Sequence, residues 1–155
     1  MAKNNWNIKQ FKVIENIGKV IVEINFDPKN IITALNAAQY ELDTQFMNYM
    51  IQYMPMDTGA LINTVRARSA ALAGHGQIYV ATPPYGPFLY HGVVMVDSQT
   101  GSPWARKGAK KVVTAKPLTY SNPKAKPYWD QETIKNHKDQ LIELTKNAFR
   151  KSKGV

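Results

Sequence analysis

Residues 27–55 read DPKNIITALNAAQYELDTQFMNYMIQYMP, and the fold turns on this stretch. Ile31, Leu35, Ala38, Leu42, Phe46, Tyr49 and Tyr53 recur at steps of three and four, the period of a helix with one apolar stripe. No glycine interrupts the run, and its two prolines stand at the ends, where helices start and stop. Asp27 suits the N-cap and Pro28 the first helical position, where a missing N–H costs nothing. Pro55 closes the far end, because a residue before proline avoids the α region and the ring clashes with the preceding turn. The expectation is one long helix running to Met54. Tyr40, Met47, Ile51 and Met54 form a second stripe on its C-terminal half. A helix apolar on two sides is either sandwiched in its own core or shared with a neighbouring subunit.

On the N-terminal side, residues 19–26 are dense in β-branched side chains, with Val20, Val22, Ile24 and Phe26 alternating with Ile21, Glu23 and Asn25. This pattern predicts a strand from Lys19 to Phe26. On the C-terminal side, Asp57 or Thr58 is placed to cap a short helix carrying Leu61, Ile62 and Val65 inward. Ala67–Ala73, a Gly74-His75-Gly76 turn and Gln77–Ala81 read as a β-hairpin. Pro83 to Gly92 is a rigid turn with a single helical turn after Pro87. Val93–Val96 and Lys111–Ala115 are the legs of a second hairpin, with Asp97–Lys110 as a long polar tip. Residues 117–127 form a loop holding Tyr120. A final helix from Tyr128 carries Ile134, His137, Leu141, Leu144 and Ala148 on one face.

The chain has 155 residues, 44% of them hydrophobic, enough for one domain with a core rather than a disordered chain. Within a single domain over residues 1–155, residues 1–18 are expected to be a flexible N-terminal segment, 93–120 a protruding basic arm and 150–155 a frayed tail. The absence of cysteine excludes disulfides, thiolate metal sites and a cysteine nucleophile. Ser69–Val96 carries no Asp, Glu, Lys or Arg, yet its glycines and prolines break it as a membrane span. The N-terminus has no apolar stretch of the secretory type, so synthesis in the cytosol is expected.

The formal net charge is +9, and it is not spread evenly. Arg106, Lys107, Lys110, Lys111, Lys116, Lys124 and Lys126 fall in residues 106–126, which contain no acid. The rest of the chain is nearly neutral. Such a run is either a solvated, lysine-protected arm or a contact for an acidic protein face or a phosphate backbone. Only Trp104 and Tyr120 flank it, a sparse aromatic complement for single-stranded nucleic acid.

Asp57-Thr58-Gly59 matches the signature of aspartic proteases, in which two carboxylates share a proton and a homodimer supplies one each. There the aspartate follows an apolar strand, whereas here it follows a long helix and a proline, so a helix start is the simpler reading. His75, His91 and His137 lack metal-ligand spacing. Gly101–Gly108 lacks the Lys-Ser/Thr end of a phosphate loop, and no serine elbow is present. No catalytic, cofactor-binding or metal-binding residues are therefore assigned.

The ordered set of motifs resembles the minor capsid proteins of tailed phages and prophages of Gram-positive bacteria, related to head-tail joining, or neck and tail-completion, proteins. The matching residues are Pro55-Met-Asp57-Thr58-Gly59-Ala60-Leu61 after the long helix, Pro84-Tyr85-Gly86-Pro87-Phe88-Leu89-Tyr90-His91-Gly92, and Val94-Met95-Val96-Asp97 leading to Thr100-Gly101-Ser102 and Ala105-Arg106-Lys107-Gly108. They continue through Lys110-Lys111-Val112, Pro117-Leu118-Thr119-Tyr120-Ser121 and Trp129, about residues 28 to 150 in all.

The resemblance implies an α+β subunit, with long N-terminal and C-terminal helices packed on a small antiparallel sheet and an extended hairpin arm. It implies a virion structural protein without enzymatic activity or cofactor, assembled as a six-fold ring between the head connector and the tail. The partners would be copies of itself, other neck, tail-terminator or tail-tube proteins, and packaged DNA without sequence readout. Arg106, Lys107, Lys110, Lys111 and Lys116 would be the arm's interface, and Ser69–Val96 would be core and subunit contact. Pro55, Asp57, Thr58, Gly59, Tyr85, Tyr90, Gly92 and Trp129 would be structural. The alternatives are a small basic domain that binds DNA or a host protein, and the homodimeric protease.

Overall fold

A computed structural model of the chain describes residues 9, 11–17, 20–26, 28–83 and 85–153. Two antiparallel strands come first, β1 (Phe11–Ile17) and β2 (Val20–Phe26). Helix α1 (Lys29–Met50) runs into a 3-10 turn at Ile51–Tyr53, followed by α2 (Ala60–Ala71) and α3 (Gly86–His91). A second antiparallel pair, β3 (Val93–Asp97) and β4 (Lys111–Pro117), precedes α4 (Trp129–Lys153). This is an α+β arrangement in which α1 and α4 pack along each other. Its strands form two two-stranded antiparallel pairs, β1–β2 and β3–β4. Among the described residues no helix is long and apolar enough to cross a membrane.

The long helix forms where its period places it, and the two prolines act as expected with one shift. Pro28 occupies the cap itself, its carbonyl accepting the Ile32 N–H at 2.8 Å; the expected cap, Asp27, lies outside the described residues. At the other end Met54, which precedes Pro55, is extended at φ −82°, ψ 144°. The β2 strand matches the expected one to within a residue, but it has a partner: residues 11–17, expected to be part of a flexible segment, are β1. The last helix also runs further than expected, so residues 150–153 are helical rather than frayed.

The hairpin expected over Ala67–Ala81 is not there. Residues 67–71 continue α2, and 77–82 run without a strand partner. The alanines at 67, 70 and 71 explain this, since alanine is the best helix former and a poor strand residue. Segment 77–82 is held by side chains instead: the Tyr79 N–H donates to Ser69 Oγ at 3.1 Å, and the Trp129 indole N–H to the Val80 carbonyl at 2.8 Å.

The core gathers Met47, Met50 and Met54 from the end of α1, Ile62 and Val65 from α2, and Trp129 from the start of α4. Fully burying a side chain of this size contributes about 1.5–3 kcal/mol. The expected first stripe is only half-buried at Leu35, Leu42 and Phe46, and Tyr40 of the second stripe is exposed. Leu35, Leu42 and Phe46 instead border an open groove between α1 and α4, with a volume of about 910 Å³. Facing them across it are Ile134, Leu141 and Phe149.

Candidate interface: the basic arm and its joint

The arm is β3, β4 and the connection between them, residues 93–117. Its pairing joins Met95 to Val113, Val96 to Val112 and Asp97 to Lys111, with a bulge toward the base. At the bulge the Thr114 hydroxyl donates to the Val94 carbonyl at 2.7 Å, a side-chain tie between the two strands. A 13-residue connection this polar would be expected to wander, but one buried acid organises it. Asp97 is 1% exposed, and its carboxylate accepts the backbone N–H of Gln99 at 2.8 Å, Thr100 at 3.3 Å and Arg106 at 3.3 Å. The Arg106 guanidinium closes over it, with Nε at 3.0 Å and Nη2 at 3.2 Å. The Arg106 hydrogen bonds, followed by the backbone donors, hold the Asp97 carboxyl well below the usual carboxylate range, and the same contact raises Arg106.

This arrangement divides the expected interface residues. Arg106 is engaged within the arm, reaching also Gln99 Oε1 at 2.6 Å. Lys111 donates from Nζ to the Pro103 carbonyl at 3.0 Å. Lys107, Lys110 and Lys116 are exposed. So is Trp104 at the tip, 87% exposed, whereas Tyr120 is half-buried and donates its hydroxyl to the Leu89 carbonyl. Tyr120 is therefore part of the joint, and single-stranded nucleic acid would find one aromatic platform here rather than two.

The joint gathers much of the family-like motif. Tyr90 packs edge-on against Trp129 and Tyr128, at centroid distances of 5.1 Å each, and donates its hydroxyl to Asp130 at 2.8 Å. Burial, and then the Asp130 carboxylate, push the Tyr90 hydroxyl up to about 12. Gly92 ends α3 at φ 67°, and its carbonyl accepts the Leu118 N–H at 2.8 Å, tying the arm's exit to its entry. A Cβ at Gly92 would lie 2.8 Å from Pro127 Cβ, so this position needs glycine on both counts. The Tyr128 N–H donates to the Tyr90 carbonyl and the Lys126 N–H to the Tyr53 carbonyl, binding the loop after the arm to α3 and to the 3-10 turn that follows α1.

The other motif residues sit apart from this joint. Pro55, Asp57, Thr58 and Gly59 form the bend before α2, with Gly59 at φ 80° in the cap position and its carbonyl accepting the Asn63 N–H at 2.9 Å. Asp57 does not cap the helix; it is exposed, and Thr58 Oγ1 receives only a long 3.4 Å contact from the Ala60 N–H. Thus the Asp-Thr-Gly segment lies between two helical elements, away from any strand end. Tyr85 is 68% exposed.

Two features escaped sequence reading. Asp43 is buried on α1 and accepts the N–H groups of Gly74 at 2.7 Å and Gly76 at 3.0 Å and the Gln39 amide at 2.8 Å, fixing the turn after α2. His137 stacks on Tyr49 at 4.2 Å with its Nε2 3.1 Å from the Tyr53 hydroxyl. Nothing in the spacing of either residue marks it, because its partners come from other elements. Among the described residues no group of three or more His, Cys, Asp or Glu side chains could hold a metal ion. Comparison with protein-family models, curated proteins and solved structures finds no match to this chain.

Proposed function

We propose that the chain is a structural component of a tailed-phage virion, a minor capsid or neck subunit that joins the DNA-filled head to the long tail as part of a ring-shaped connector or tail-completion complex. The observation that carries this reading is the joint: Tyr90, Gly92 and Trp129, which carry part of the resemblance, are the residues that fix the basic arm to the helical body. An arm held at its base and clamped at its tip by Asp97 and Arg106 is preorganised for docking, which lowers the ordering cost of assembly. Its exposed Lys107, Lys110 and Lys116 suit an acidic face on a neighbouring neck or tail protein, or the backbone of DNA passing through the ring. In this reading the chain performs no catalysis and needs no cofactor.

The test is charge reversal of Lys107, Lys110 and Lys116 to Glu, the arm's three exposed lysines, in the phage or prophage that encodes the chain. Filled heads and free tails should accumulate unjoined. Normal yields of infectious, tailed particles would overturn the proposal.

A further inference from the structure

The arm's tip, Ser102-Pro103-Trp104-Ala105-Arg106-Lys107, carries a tryptophan on a fixed backbone. Trp104 is the most exposed large hydrophobic side chain among the described residues, yet the chain on both sides of it is tied down. The Ser102 carbonyl accepts the Asp97 N–H at 2.8 Å, and the Trp104 N–H donates to Ser102 Oγ at 3.1 Å. The proline ring fixes φ at position 103, and the Pro103 carbonyl accepts Lys111 Nζ at 3.0 Å. Beyond the indole, Arg106 is held to Asp97 through both its backbone N–H and its guanidinium. A single exposed apolar residue is ordinary on a protein surface. Here, however, two of the arm's cations, Arg106 and Lys111, are used to fix the segment that holds the indole in solvent.

An indole has a broad apolar face and one N–H donor, and tryptophan is enriched among the few residues that carry most of the energy of protein interfaces. A preset backbone lowers the ordering cost of burying it. Duplex DNA is a poorer target. Its stacked bases give an indole no pocket without unstacking, and binding to its backbone grows with the number of cations offered. The arm has three that are not engaged within it, Lys107, Lys110 and Lys116. Lys107 and Lys110 follow the indole closely in sequence and are exposed, so a pocket that takes Trp104 is best matched by an acidic rim. Another copy of this chain does not offer one. Its apolar α1/α4 groove is bordered by Lys138, Lys146 and Arg150, and the groove's acids, Asp43 and Asp130, are already hydrogen-bonded within the chain.

We infer that Trp104 anchors the arm by filling an apolar pocket on a different protein of the particle, one whose acidic rim meets Lys107 and Lys110. The inference rests on the neck reading for its claim that this protein belongs to the same particle, and it narrows the arm's target from any polyanion to a protein.

Trp104→Ala, made in the phage or prophage, should cut the yield of infectious, tailed particles at least about tenfold. The purified variant should unfold at the wild-type urea midpoint, because the indole is exposed. Trp104→Phe should recover part of the yield. With the photo-reactive residue p-benzoylphenylalanine at position 104, irradiated particles should contain this chain cross-linked to a second virion protein. Cross-links to DNA, only to other copies of this chain, or to nothing would overturn the inference. Normal yields from Trp104→Ala, with heads and tails left unjoined by charge reversal of Lys107, Lys110 and Lys116, would also overturn it while leaving the neck reading standing. Normal yields from both would overturn both.

Discussion

Gly92→Ala is expected to loosen the arm's joint, and Gly101→Ala is its internal control. Both glycines have φ 67°, so both substitutions place a side chain in the same unfavourable backbone region. They differ in surroundings: a Cβ at 92 meets Pro127 Cβ at 2.8 Å, Pro127 Cγ at 3.2 Å and the Tyr120 hydroxyl at 3.2 Å, whereas at 101 nothing lies within 4 Å. The backbone term is about 1–2 kcal/mol in each case. Overpacking adds about 1–3 kcal/mol at position 92 alone. Gly92→Ala should therefore cost about 2–5 kcal/mol and lower Tm by roughly 4–20 °C, taking about 2–4 °C per kcal/mol for a chain of this size. Gly101→Ala should stay within about 2 kcal/mol. Urea unfolding followed by circular dichroism gives both, with unchanged slopes identifying true stability differences. Equal losses from the two substitutions would mean that the crowding at Pro127 contributes nothing.

Trp129→Phe leaves the Val80 carbonyl without its donor and empties part of a fully buried site, for an expected loss of about 2–4 kcal/mol in the same assay. Because Tyr90 binds its proton more tightly when folded, with a value near 12 against the ordinary 10, its contribution is complete below pH 10 and lost between pH 10 and 12. Wild-type stability should thus fall more steeply than that of Tyr90→Phe across that interval, measured by urea titration. Asp97 is shifted the other way, so its contribution is present above pH 4 and lost only on strong acidification. Amide exchange at Gln99, Thr100 and Arg106 should remain slow at pH 3 in wild type and become fast in Asp97→Asn.

What the sequence disclosed and what it hid follow one physical division. The long helix, β2, both legs of the arm and the final helix are written in local periodicity and bounded by prolines and glycines, so they were legible. β1 was not expected, because Phe11–Ile17 mixes Lys12, Glu15 and Asn16 with apolar residues and takes its meaning only from pairing with β2. The Ala67–Ala81 hairpin was expected because a glycine turn separates two apolar runs, yet alanine propensity kept the first run helical. For the candidate interface, the concentration of cations in residues 106–126 was plain. That Arg106 serves Asp97 rather than a partner was not, since nine residues and a buried carboxylate separate that pairing from any local signal.

We propose a place for this chain in a particle, between head and tail. Cryo-electron microscopy of particles made with and without the chain tests that placement. With it, density fitting α1, α4 and the Asp97–Arg106 arm should encircle the head-tail junction. Without it, DNA-filled heads should lack tails. Tailed, infectious particles assembled in its absence would rule out a role in joining head to tail.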